Sequence, residues 1–280
     1  MYNFVLIVSF FLPTMMSSYW CVHPLRPSAG TGHCHKCEAS IEKDTLCHKA
    51  YGKGMRYPCK LCEGCCQGPT TGYTAAEMKI IKRAIDEYKK ELYKKYGVTK
   101  LAVDAAAVAA STEHGANHAY GFYGKTSSDG HQFKQRHPFS NYFRGEIIIP
   151  GVGVFDCTEA IVMFVKALVM GDGTTAYALV TRGPLSGSAC KGFGKMVHGF
   201  VKAKWNATIP KLALLVALTK WDQCPMFQDE MRRIHAKRFT TVHECSKSDR
   251  MWGTGSALGQ PLGPGLNYLG KGLTYVLGSL

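Results

Sequence analysis

Asp249-Arg250-Met251-Trp252-Gly253-Thr254-Gly255 and Gly265-Leu266-Asn267-Tyr268-Leu269-Gly270 set an acid, an indole and an amide among glycines that neither helix nor strand selects. Such a stretch is a shaped loop. An indole beside a carboxylate offers a stacking face next to an acid, a base or a charge stabiliser. A glycine-rich surface turn with a half-buried Trp is the plainer alternative. Upstream, Glu159, Met163 and Lys166 step by four and three along a helix that Thr158 can cap, so they share one face. Glu159 then falls in the first turn, where the helix dipole favours a carboxylate. A carboxylate and an ammonium on an otherwise apolar face need a ligand or each other. Cys157 stands two residues before Glu159, but no base is positioned for it, so it is not read as a nucleophile.

A second constellation lies near the start of the chain. Eight of the twelve cysteines fall between Cys21 and Cys66. Cys34-His-Lys-Cys37 and Cys59-Lys-Leu-Cys62 are two C-x-x-C knuckles, each able to supply two thiolates to one tetrahedral zinc ion. Few aliphatic residues accompany them, so metal or disulfides must replace a core there. His33, His35, Cys47, His48 and Cys65 could build a further site, and a disulfide knot remains the alternative if the chain is secreted.

The order of motifs from Phe139 onward resembles the NADAR family, the YbiA-like N-glycosidases. Phe139-Ser140-Asn141-Tyr142 is similar to its F-S-N-F/Y opening. Cys157-Thr158-Glu159 with Met163 and Lys166-Ala167 resembles its T-x-E-H/Q helix, ended by Gly171-Asp172. Ala189 to Lys195 is similar to A-K-x-x-G-R, Trp205 to a lone W, and Lys220 to Gln223 to K-F-x-Q. Glu244 precedes Asp249 by five residues as in E-x-x-x-x-D-R-x-W-G, and Gly265 to Gly270 follows G-x-N-x-L-G.

The resemblance implies a compact, mainly α YbiA-like domain over residues 115–280 with at most a small sheet. It also implies hydrolysis of an N-glycosidic bond in a ribosyl-phosphate or ADP-ribosyl substrate, either a riboflavin-pathway intermediate or ADP-ribosylated guanine. Cleavage through an oxocarbenium-like state needs negative charge near the anomeric carbon and a proton route to the departing nitrogen. Glu159 and Asp249 are the carboxylates at family positions: Glu159 as base or cation stabiliser, Asp249 as orienter or proton donor, with the roles interchangeable. Lys166 would hold phosphate or tune Glu159. Phe139, Ser140, Asn141, Lys195, Trp205, Trp252, Gly253, Gly255 and Asn267 are the implied substrate-binding set. The tryptophans would stack on the base, the asparagines would bond sugar or base edges, and the glycine NH groups would approach phosphate. No cofactor is implied for catalysis. Two departures from the pattern are Ala160, where His or Gln is usual, and Lys195, which keeps the charge of the usual Arg but not its bidentate geometry.

The elements that must position these residues follow the same order. Residues 4–12 are an apolar run closed by Pro13, too short to span a bilayer, with no Lys or Arg before it. It reads as a signal core within residues 1–18, a strand or a docking anchor. Residues 21–72 form the cysteine-rich arm. Within 73–114, Thr74-Ala-Ala-Glu77 is a capping box opening an amphipathic helix on Met78, Ile81, Ile85, Tyr88, Leu92 and Tyr96, closed by Gly97. Lysines fill its other face, which is solvated or lies on nucleic acid. Val98 to Ser111 is alanine-rich and helical in pattern; Gly115 to Gly130 reads as a mobile linker. Glu146 to Pro150 is a short strand, and Leu212 to Leu218 a buried helix segment.

The formal charge of +14 favours phosphate-bearing partners. Isolated later cysteines fit reduced thiols in a cytoplasmic or nuclear setting, with secretion the alternative. A non-catalytic zinc-bearing reader of nucleotides or nucleic acid is the competing function. Nothing in the pattern fixes an oligomeric state.

The zinc reading has a direct check on the purified chain. Metal analysis should find about one zinc per chain with free thiols, and chelation should unfold residues 21–72 but not the C-terminal domain. A zinc-free, disulfide-bonded arm excludes it.

Overall fold

The computed structural model describes residues 72–99, 118–181 and 184–280, together with the backbone of short strands within residues 19–61. The chain forms two compact units, residues 1–69 and 70–280. In the first, β5 (Leu46–Gly52) pairs antiparallel with β1 (Tyr19–Cys21), β2 (Arg26–Pro27) and β6 (Cys59–Leu61). A separate pair joins β3 (Gly32–His33) and β4 (Ser40–Ile41). The sulfurs of Cys34, Cys37, Cys59 and Cys62, and the helix expected over Val98 to Ser111, lie outside the described residues.

The second unit is mainly α, with small sheets. Its helices are α1 (Ala75–Lys95), α2 (Thr158–Met170), α3 (Gly173–Thr181), α4 (Gly187–Lys195), α5 (Lys202–Gln223), α6 (Pro225–Ala236) and α7 (Tyr268–Gly278). Helix α5 is the axle. Leu212 to Lys220 are all buried on it, so it is surrounded rather than amphipathic. Helices α1, α2, α6 and α7 pack around it. Gly272 of α7 permits the closest crossing: a Cβ there would lie 2.6 Å from the Ala213 carbonyl oxygen.

Gly115 to Gly130 is not simply a linker. Ala119–Tyr123 forms β7, buried at Tyr120, Gly121 and Phe122, antiparallel to β8 (Thr126–Ser127) and parallel to β11 (Thr241–Glu244). The aromatic residues that alternate with glycine there bury their rings; Tyr120 and Phe122 stack on His137 and Phe139. The expected short strand is β9 (Ile147–Ile149), in a hairpin with β10 (Gly153–Phe155).

Helix α1 opens on the capping box: the Thr74 hydroxyl accepts from Glu77 N at 3.2 Å, and Thr74 N donates to the Glu77 carboxylate at 2.7 Å. Ile81, Ile85, Tyr88 and Leu92 face inward, and most of the lysines face solvent. Gln223, the last residue of α5, ties three elements together. Its amide brackets Ile148, accepting from N and donating to O at 2.8 Å each, and donates to the Tyr88 hydroxyl at 2.9 Å. No described helix is long and apolar enough to cross a membrane.

Gln223→Ala should therefore lower unfolding free energy by about 0.5–1.5 kcal/mol in urea, because the half-exposed Ile148 backbone and the Tyr88 hydroxyl exchange its amide for water. Lys89→Ala, which breaks only an exposed pair with Asp86 within α1, should change it by less than about 0.5 kcal/mol.

Candidate active site

The site begins at the start of α2. Cys157 is its N-cap residue and Thr158 its first helical residue, one position later than the pattern implied for the cap. Thr158 is instead held by Asn141: its hydroxyl donates to Asn141 Oδ1 at 3.0 Å, while the Asn141 carbonyl accepts from Glu159 N at 2.9 Å. An orphan NH of the first turn is satisfied this way. The Phe139-Ser140-Asn141 turn is itself clamped by Lys220, whose ammonium donates to the Pro138 carbonyl at 2.6 Å and the Ser140 carbonyl at 2.7 Å. Lys220 is 1% exposed, and burial pulls it down to about 8.

Glu159, Met163 and Lys166 lie along one wall of a cleft of about 420 Å³. At a helical rise of about 1.5 Å per residue, the Glu159 and Lys166 backbone positions stand about 10 Å apart along the axis. Helix α4 supplies Lys191 and Lys195 from one face, and α5 supplies Trp205. Gly194 lets α4 close on α2, since a Cβ there would fall 1.7 Å from Met163 Sδ. The remaining wall is the end of β11 and the loop after it, with Glu244, Ser246, Asp249 and Trp252, faced by Ser140, Asn141 and Arg136.

The cleft has an acidic end and a basic end. Burial pushes the Glu159 carboxyl up to about 8; Lys191 opposes this, and Cys157, Glu244 and Asp249 add to it. Burial and the Asp249 charge push Glu244 up to about 7. Asp249 is shaped into the loop: its Oδ1 accepts from Met251 N at 3.1 Å and Trp252 N at 2.9 Å, and its Oδ2 lies 3.5 Å from Lys191 Nζ. At the other end Lys166 donates to the Gly194 carbonyl at 2.6 Å, with its ammonium over the Phe200 ring at 4.5 Å and Trp205 at 5.7 Å. Desolvation pulls its pKa down, against the pull of Glu159.

Of the residues singled out in the sequence, Glu159, Asp249, Lys166, Ser140, Asn141, Lys195, Trp205 and Trp252 line this one cleft. Phe139, Gly253, Gly255 and Asn267 are not among the lining residues. Phe139 is a core ring against Phe227 and Tyr120. Gly253 lets the loop pass β11: a Cβ there would lie 2.7 Å from the Glu244 carbonyl oxygen. Gly255 takes a positive φ of 72°. Asn267 caps the strand edge, accepting from Glu244 N at 3.1 Å and donating to the Val242 carbonyl at 3.1 Å. Sequence reasoning assigned no role to Lys191 or Glu244. Their signals were the four-residue step from Lys191 to Lys195 and the five-residue step from Glu244 to Asp249. Among the described residues no cluster of three or more His, Cys, Asp or Glu could hold a metal ion.

Residues 121–280 match the family model of the NADAR domain. The chain belongs to the NADAR family. No curated protein gives a match to it. The NADAR domain is associated with N-glycosidase-type activity. Its matched span begins within β7 and includes every residue described above as lining the cleft.

A raised carboxyl pKa is a stability statement. Well below pH 4.5, Glu159 is protonated folded or unfolded. As pH climbs towards about 8 the unfolded chain releases that proton while the folded NADAR domain keeps it, so stability falls across this window. Glu159→Gln should accordingly stabilise the domain by about 1–3 kcal/mol at pH 8.5 and by less than about 1 kcal/mol at pH 5, measured by urea unfolding.

Proposed function

We propose that this cleft hydrolyses the N-glycosidic bond of a ribosyl-phosphate or ADP-ribosyl substrate. The observation that carries the reading is the enclosed Glu159 carboxyl, raised to about 8, in one cleft with an Asp249 carboxylate paired to Lys191. Two carboxyl groups in unlike environments are what acid and base roles require.

Glu159 holds its proton at neutral pH and gives it to the departing nitrogen. Asp249, fixed by two backbone NH groups, supplies negative charge as the anomeric carbon becomes cationic, and it orients the incoming water. Water adds hydroxyl to the anomeric carbon and passes its remaining proton to Asp249, the C–N bond breaks, and the nitrogen leaves with the proton from Glu159. Exchange with solvent as the products leave returns Glu159 to its acid form and Asp249 to its carboxylate. Of the two role assignments open from the motifs, this is the one the burial of Glu159 favours. Lys166, about two turns along α2 from Glu159, takes phosphate at the basic end together with Lys195 of α4. That spacing suits a substrate with its scissile bond and its phosphate at opposite ends. Trp205 and Trp252 offer stacking faces for base-like groups. In this reading the catalytic step uses no cofactor, and a zinc ion on Cys34, Cys37, Cys59 and Cys62 is structural.

A second reading, a nucleic-acid or nucleotide binding module without turnover, draws on the exposed lysines of α1 and the charge of +14. Release of free base or pentose separates the two. Wild-type protein should turn over a ribosyl-phosphate or ADP-ribosyl substrate, and Glu159→Gln should lose about 100-fold or more while still binding it. In the wild type, kcat/KM should fall as pH rises through about 8, because the donor loses its proton. Undiminished turnover in Glu159→Gln would defeat the assignment, and a rate that rises through pH 8 would make Glu159 the base.

A further inference from the structure

Glu244 takes no part in the steps above, yet the fold places it with care. It is the last residue of β11, and its backbone is held on three sides. Its NH donates to Asn267 Oδ1 at 3.1 Å, its carbonyl accepts from Thr254 N at 2.8 Å, and it pairs with Phe122 across the parallel ladder. Gly253 allows the loop to pass close to that carbonyl. The side chain these supports deliver lines the cleft beside Asp249 and Ser246. Its Oε2 is buried, and among the described residues no group donates to it.

Above about pH 7, where Glu244 is ionised, an enclosed carboxylate oxygen without a donor is costly. It is retained where a ligand brings the missing hydrogen. The cations near Glu244 do not fill this role: Lys191 pairs with Asp249, and the Lys220 ammonium is committed to the Pro138 and Ser140 carbonyls. The ligand group that fits is therefore a neutral donor, either a sugar hydroxyl or a base N–H. Glu244 is electrostatically coupled to both Glu159 and Asp249, which puts it at the end of the cleft where the anomeric carbon lies. This favours the sugar.

We infer that Glu244 is a substrate-binding carboxylate that accepts the hydrogen of the ribose hydroxyl next to the anomeric carbon. The assignment rests on the proposed orientation of the sugar in the cleft. It gives Glu244 a part in the reaction as well as in binding. Charge withdrawn from the sugar ring as the C–N bond breaks makes that hydroxyl a stronger donor, so the bond to Glu244 tightens in the transition state. It also makes the cleft selective for ribosyl over 2-deoxyribosyl substrates, because the deoxy sugar leaves the carboxylate unpartnered.

Titration calorimetry with ribose 5-phosphate and 2-deoxyribose 5-phosphate tests this in wild type and Glu244→Gln. Wild type should bind the ribose compound about 10-fold more tightly, and Glu244→Gln should reduce that preference to about 2-fold. Phosphate binding is common to both sugars, so the comparison isolates the hydroxyl. A thermal melt reports whether the variant folds; if it does not, the wild-type preference decides alone. Equal wild-type affinities, a preference unchanged in the folded variant, or binding of neither sugar would overturn the assignment. Binding needs no bond cleavage, which separates the two conclusions. Ribose preference without turnover sinks only the glycosidase, whereas turnover without ribose preference sinks only the role of Glu244.

Discussion

Holding the Glu159 carboxyl out of water is the constraint on which the rest of the domain turns. Left exposed, a glutamate in the first turn of a helix would be an ordinary anion favoured by the dipole. Here the loss of hydration outweighs the dipole and the nearby Lys191, and the group keeps its proton to about pH 8. The charges of Glu244 and Asp249 work in the same direction on Glu159. Any change that lets water reach the start of α2 would return Glu159 towards a common carboxylate.

The start of α2 is held in place by a chain of backbone contacts. Lys220 gathers the carbonyls of Pro138 and Ser140, the turn so formed presents Asn141, and Asn141 receives Thr158 and Glu159. A buried ammonium is a costly way to hold a turn. Its use here fits a position where two carbonyls must be fixed at once from inside a helix with no room for a loop to do it. The Phe143 and Phe227 rings, 5.7 and 5.6 Å from the ammonium, give it part of the environment it loses by leaving water.

The convergence of Glu159, Lys166, Trp205, Asp249 and Trp252 was legible because the motifs occur in one order over more than a hundred residues, even though nothing local requires them to meet. The mainly α class was legible from Leu212 to Leu218 and from the amphipathic face of α1. Other features were not. Gly253 and Asn267 carry the residue types of ligand contacts, but close packing against β11 selects the same types, and a sequence cannot separate those causes. Strand β7 was hidden because Tyr120, Gly121 and Phe122 are buried together, so no alternation marks them. Lys191 and Glu244 were visible as motif letters; their roles depend on which way a helix and a strand end face.

Asn267 also bears on how the domain is made. It adopts a left-handed φ of 48° just ahead of α7, and from there it closes the edge of β11, while α7 covers α5. During synthesis, everything from β7 to the glycine loop emerges from the ribosome before this residue does. The nascent chain must therefore carry an unfinished fold, with the β11 edge uncapped and the side of α5 that α7 covers left open, until α7 has emerged.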